Sequence, residues 1–198
     1  MERKNLKFFL SVFFSLYFFE SALSENLHIS RNLYGERGIL EVPVAGPLDD
    51  ESITFSSTSV GAITQNTISF QALPRVYGAL RYTGVGNTSS QAYLSGSGYS
   101  YWDRSFDLRI DLLKENTLLP DISLGMQDIV GGGSFSSEYL VASKTVFSNF
   151  RVTSGLGWGR FGTQNIIGKS GSRTDNVGGA VGGEPRLKQL FRGNIGLF

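Results

Sequence analysis

Three charged side chains at alternate positions, Asp107, Arg109 and Asp111 in the stretch RSFDLRIDLL, are the densest set in this chain that could do chemistry. A carboxylate pair, Asp107 with Asp111 or Asp128 with Glu138, would suit glycoside hydrolysis by an acid and a base or nucleophile. In an extended chain, however, residues two apart share a face by default. Arg109 between two aspartates is then spaced for ladder ion pairs with neighbouring strands. A structural or path-lining role is the stronger expectation, and no catalytic residue is assigned. A Ser-His-Asp arrangement would rest on His28, the single histidine, close behind a segment expected to be cleaved away. A base on a loose terminus is not held within hydrogen-bond reach of a nucleophile. The same argument removes a histidine metal site, and the lack of cysteine excludes thiolate ligands and disulfides. Gly84-Val85-Gly86 and Gly131-Gly132-Gly133 are not followed by a helix, so they read as turns and not as phosphate cradles. No cofactor and no metal is expected.

The elements that would position these charges read as β almost throughout. After a Gly- and Pro-rich entry segment come ESITFSSTSV, NTISFQAL, RVYGALRYT, QAYLSGSGYSYW, SFDLRIDLL, DISLGMQDI, SSEYLVASKTVF, FRVTSGLGWGRF and FRGNIGLF, each short and alternating. Turn-forming clusters separate them at Leu73-Pro74, Gly84-Val85-Gly86-Asn87, Lys114-Glu115-Asn116, Gly131-Gly132-Gly133 and Ser148-Asn149. Residues 162–188 are longer and polar, as an external or lumen-lining loop would be. The pattern predicts an all-β fold of about seven to nine antiparallel strands, in a barrel or a sandwich.

The N-terminus narrows the setting. Arg3, Lys4 and Lys7 precede an apolar run over 8–19, and Ala22-Leu23-Ser24 supplies small residues for cleavage. The run is too short to span a bilayer, which takes about 20 residues. Residues 1–24 are therefore expected to be a secretory signal peptide, 25–50 an irregular entry segment and 51–198 the β-barrel segment. The formal net charge is +1 with both signs scattered, which gives no nucleic-acid footprint. No later apolar run reaches membrane-helix length, so a membrane-embedded mature chain would have to cross as strands of a closed barrel.

Alternation alone does not separate a membrane barrel from a soluble sandwich. Charges meet water in both, and the apolar face meets lipid in one and a second sheet in the other. Aromatics near strand ends (Tyr99, Tyr101 and Trp102; Phe147 and Phe150; Trp158 and Phe161) fit interfacial girdles. Glycines inside strands, Gly125, Gly155, Gly157 and Gly159, suit a curved sheet with a crowded interior.

The runs NLYGERGILEVPVAGPLDDESITFSSTS, LPRVYGALRYT, WDRSFDLRIDLLKENTLLPDISLGMQDIVGGGSFSSEYLVASK and GLGWGRFG, in that order, resemble the N-terminal part of the YjbH-like exopolysaccharide-biosynthesis proteins. The resemblance implies a Gram-negative outer-membrane β-barrel that supports exopolysaccharide or capsule export or assembly, without enzymatic activity. Its implied partners are outer-membrane lipid, the polysaccharide, and export or assembly proteins. Members are often lipoproteins, whereas this chain has no cysteine to acylate. Members are also longer, and Phe198, preceded at alternate positions by Gly196, Asn194 and Arg192, does not match a closing barrel strand. The chain is thus expected to be the first part of an incomplete barrel. Asp107, Arg109, Asp111, Asp128, Glu138, Tyr139 and Trp158 are the expected lumen or glycan contacts: aromatic faces stack on sugar rings while charged groups bond hydroxyls. The alternative is a secreted periplasmic or extracellular β-sandwich that binds carbohydrate.

Overall fold

A computed structural model describes residues 30–47, 52–86, 99–147, 150–174 and 187–198. The expected signal peptide, His28 and the middle of the 162–188 loop lie outside the described residues. Among the described residues the fold is all-β. A two-stranded ribbon pairs β1 (Gly38–Ile39) with β2 (Val42–Pro43). The other strands are β3 (Ile53–Val60), β4 (Ile63–Leu73), β5 (Val76–Gly86), β6 (Tyr99–Leu113), β7 (Asp121–Val130), β8 (Ser137–Val146), β9 (Phe150–Gly159), β10 (Ile166–Ser170) and β11 (Gly193–Leu197). They make one nine-stranded antiparallel sheet in the order β10-β11-β9-β8-β7-β6-β5-β4-β3.

Local sequence accounts for the punctuation. Gly61 takes a positive φ of 58° between β3 and β4, and Arg75 follows Pro74 with a φ of 66° between β4 and β5. Between β6 and β7, Asn116 Oδ1 accepts the amides of Leu118 and Leu119, both at 2.9 Å. Two expectations are corrected. The separate strands expected across 91–113 are, from Tyr99 on, one strand, β6, because Asp103 continues the ladder opposite Thr83 where a break was expected. Within the loop expected at 162–188, Ile166–Ser170 pairs with Gly193–Leu197 as β10, a strand hidden by its polar surroundings.

The sheet is open, so the closed barrel is not seen among the described residues. Its edges are β3 and β10. With every neighbour antiparallel across nine strands, the two edge strands run in the same direction. A second sheet packed over the apolar side, which a sandwich requires, is likewise not present among the described residues.

The two faces are inverted relative to a soluble sheet. Gln65, Thr67 and Ser69 of β4, Arg81 and Thr83 of β5, Asp103, Ser105, Asp107, Arg109 and Asp111 of β6, and Ser123 and Gln127 of β7 are all buried. The alternate positions Ile53, Phe55, Ile68, Leu80, Trp102 and Leu112 are exposed. Glycines make room for large rings on the buried side: a Cβ on Gly125 would sit 2.0 Å from the Tyr139 ring, and one on Gly155 2.4 Å from Phe198. These in-strand glycines serve the crowded interior that was expected of them.

Residues 30–47 lie along the buried face. Thr58 of β3 donates to the Leu33 carbonyl at 2.9 Å, while Tyr139 of β8 donates to Glu36 at 2.8 Å. A flat sheet would hold those strands, five places apart, about 24 Å from each other. The sheet curls around the segment. The end of β8 and the start of β9, within Thr145–Val152, form a unit of their own. Within it, Arg151 Nη1 donates to Thr145 Oγ1 at 3.2 Å.

Candidate functional site

The charged ladder forms because strand parity and register bring alternating residues of β5, β6 and β7 together. Thr67 opposes Arg81, Ala79 opposes Asp107, and Asp111 opposes Ser123. Arg81 reaches one place diagonally to hold Asp107, with Nη1 2.8 Å from Oδ2 and Nη2 3.0 Å from Oδ1. Arg109 Nε and Nη2 each donate to Asp111 Oδ1 at 3.1 Å, and the Ser123 hydroxyl donates to the same oxygen at 2.6 Å. Asp107 Oδ1 also accepts the Asp128 amide at 2.7 Å, at a bulge where Asp128 has a φ of 55°. Asp128 Oδ2 in turn accepts the Phe135 amide at 3.3 Å and shapes the turn into β8. The expected ion-pair ladder is therefore one cross-strand pair and one pair along β6.

The entry segment completes this site. Asn32 Oδ1 accepts the amides of Tyr34 and Glu36, both at 3.0 Å, and Gly35 supplies a φ of 78°. That turn drives Tyr34 between two guanidiniums, with Arg81 4.8 Å and Arg160 4.0 Å from its ring centre. Burial raises the Tyr34 phenol above its ordinary value, against the pull of Arg160. Burial also lowers the Arg160 guanidinium, which donates to Gln127 at 3.0 Å and to Glu41 at 3.1 Å. Further along, the Ala45 amide donates to Ser143 Oγ at 2.9 Å and the Gly46 amide to Ser123 Oγ at 3.2 Å. Arg109 Nη2 donates to the Gly46 carbonyl at 2.7 Å. Ala45, Tyr139 and Val141, with Phe161 and Phe198 packed against them, form the small apolar core beside this contact. A cavity with room for water separates the segment from the sheet, lined by Glu36, Ser69, Tyr77, Asp107 and Arg109 among others.

Of the residues expected from the sequence, Asp107, Arg109, Asp111, Asp128 and Tyr139 are brought together on or beside the buried face. They are covered, not lining an open channel. Glu138 has the opposite parity to Tyr139 and is bound elsewhere: Arg173 Nη1 and Nη2 donate to its carboxylate at 2.6 and 3.2 Å, and the Phe191 amide at 3.1 Å. Trp158 joins that second group. Its Nε1 donates to Ser170 Oγ at 2.8 Å and its ring meets Phe191 edge-on at 5.2 Å. The residues the sequence did not single out are Tyr34, Glu36, Arg81, Ser123, Ser143 and Arg160. The asparagine-to-glycine turn in NLYGERG was a usable signal for an ordered entry segment; nothing in the sequence fixes the register that gives Arg81 to Asp107. Among the described residues no group of three or more His, Asp or Glu could hold a metal ion. No helix among them is long and apolar enough to cross a membrane.

The family described as "Exopolysaccharide biosynthesis protein YbjH" matches residues 30–198, which includes the entry segment and the whole sheet. The chain belongs to the YjbH family. A relative from Escherichia coli (strain K12), described as "Uncharacterized lipoprotein YjbH", is 34% identical over 139 residues. That stretch is 70% of this chain and 20% of the relative, so the chain spans about a fifth of the length of the curated relative it matches. No solved structure matches this YjbH-family chain. The family is one of exopolysaccharide biosynthesis, and the polar face and the segment across it are features of the matched region.

Proposed function

We propose that this chain is part of an outer-membrane β-barrel that supports export or assembly of an exopolysaccharide without catalysing a reaction. The observation that carries the reading is the inversion of the sheet, with Asp107, Arg109 and Asp111 buried on one face and Ile53, Phe55, Ile68 and Leu80 exposed on the other. A sheet that turns apolar side chains outward is suited to lipid, and one that gathers hydroxyls and charges inside is suited to a wet path. Additional strands close the sheet at β3 and β10, since open edges are not tolerated in hydrocarbon. The lipoprotein description of the relative supports an envelope location. The polar face contributes hydrogen bonds to sugar hydroxyls, and export or assembly proteins deliver the chain.

Membrane fractionation of the expressed protein, followed by gels with and without boiling, tests this. An outer-membrane location and a heat-dependent change in migration are expected. A soluble periplasmic product that migrates identically in both lanes would sink the proposal.

A further inference from the structure

Residues 30–47 meet the polar face in the way a polar ligand would. Their backbone supplies the hydrogen-bonding groups: the Ala45 and Gly46 amides go to Ser143 and Ser123, and the Gly46 carbonyl goes to Arg109. Tyr34 supplies a flat ring between Arg81 and Arg160. The fit is incomplete. Arg109 Nη1 and Thr67 Oγ1, on residues that meet Gly46 and Gly35, are buried with no hydrogen-bond partner, and each such group carries a desolvation cost. Thr67 and Arg109 are 1% and 3% exposed. The segment carries its own turns and backbone bonds, the Leu33 amide to the Leu40 carbonyl at 2.7 Å and the Val44 amide to the Arg37 carbonyl at 3.0 Å among them, so it can leave the face as a unit, while its two paired strands have only two residues each. Such a ribbon is not stable alone.

We propose that residues 30–47 are a releasable plug occupying a glycan-binding face, and that Ser123, Thr67 and Arg109 bind hydroxyls of an uncharged polysaccharide once the plug leaves. This rests on the reading of the polar face as a glycan path. A hydroxyl-rich chain presents donors and acceptors at every residue and can satisfy groups that a peptide of fixed sequence leaves unbonded. An uncharged glycan fits better than an acidic one, because the two sheet arginines under the segment already have carboxylate partners, Arg81 in Asp107 at 2.8 Å and Arg109 in Asp111 at 3.1 Å.

The chain has no cysteine, so Ala45→Cys with Ser143→Cys creates the only thiol pair. Binding of maltoheptaose to the full chain, measured calorimetrically, should be lost on oxidation and regained on reduction. Equal binding in both states would overturn the plug and leave the glycan face standing. No binding in either state, nor by Tyr139→Phe, which frees Glu36 from its anchor, would overturn both readings. Hydrogen exchange on the unmodified protein gives a second test that does not depend on the bridge. The Ala45 and Gly46 amides should exchange at least tenfold faster than ladder amides of β6 and β7. Exchange at the same rate as those strands would mean a fixed part of the core and would overturn the plug.

Discussion

The two faces of the nine-stranded sheet use the same strands and obey opposite rules. On the buried face, stability depends on pairing: Asp107 and Arg81 are almost fully buried and hold each other at 2.8 Å. On the other face, Leu80 and Ile68 are 54% and 44% exposed and touch no covering layer among the described residues. The difference teaches that hydrophobic burial within the described residues is not what orders this sheet. Its interior is held by hydrogen bonds, ion pairs and a small aromatic group, and its apolar side is left exposed among the described residues.

That contrast can be broken from either side. Asp107→Ala leaves the Arg81 guanidinium buried without its carboxylate and should cost about 3–5 kcal/mol. Replacing both, Arg81→Met with Asp107→Leu, should recover most of that loss, because the penalty is the unpaired charge. Urea unfolding of the reconstituted protein reads both; equal losses in the single and double variants would mean the pair is not the determinant. On the other face, Leu80→Arg should cost about 2–4 kcal/mol if the position meets hydrocarbon. Membrane assembly yield measures it, and an unaffected yield would mean that Leu80 faces water. Smaller again is Gly125→Ala, whose new methyl would overlap the Tyr139 ring. Overpacking of this kind costs about 1–3 kcal/mol, and Tyr139→Leu in the same chain should relieve it.

The strands were legible because alternation is a local property. Asp107, Arg109 and Asp111 announce a shared face from their spacing alone, and Gly125 and Gly155 announce crowding by the absence of a side chain. What was not legible depends on partners distant in sequence. Arg81 reads as one more polar residue until register sets it beside Asp107, and Glu138 and Tyr139 look like one cluster until parity separates them. The entry segment was read as irregular because Gly and Pro interrupt any period. Its order comes from Ser123, Ser143 and Tyr139, residues roughly 75 to 105 positions away. Alternation also could not say which face was buried, since the pattern is symmetrical and only the packed chain breaks the symmetry.

The smallest expected effect lies at the rim, where burial no longer amplifies charge. Lys144 stands 3.5 Å from Glu115, with the two side chains 30% and 20% exposed. The same ammonium donates to the carbonyls of Thr117 at 3.2 Å and Leu119 at 3.4 Å, and to that of Asn116. Glu115→Gln removes the charge partner and leaves those carbonyl bonds in place. Partly solvated pairs contribute about 0–1 kcal/mol and are screened by salt. The substitution should therefore shift the unfolding midpoint only slightly, and the shift should vanish in high salt. A loss comparable to that of Asp107→Ala would show that the β6–β7 turn is as dry as the buried face, and would erase the distinction between rim and interior.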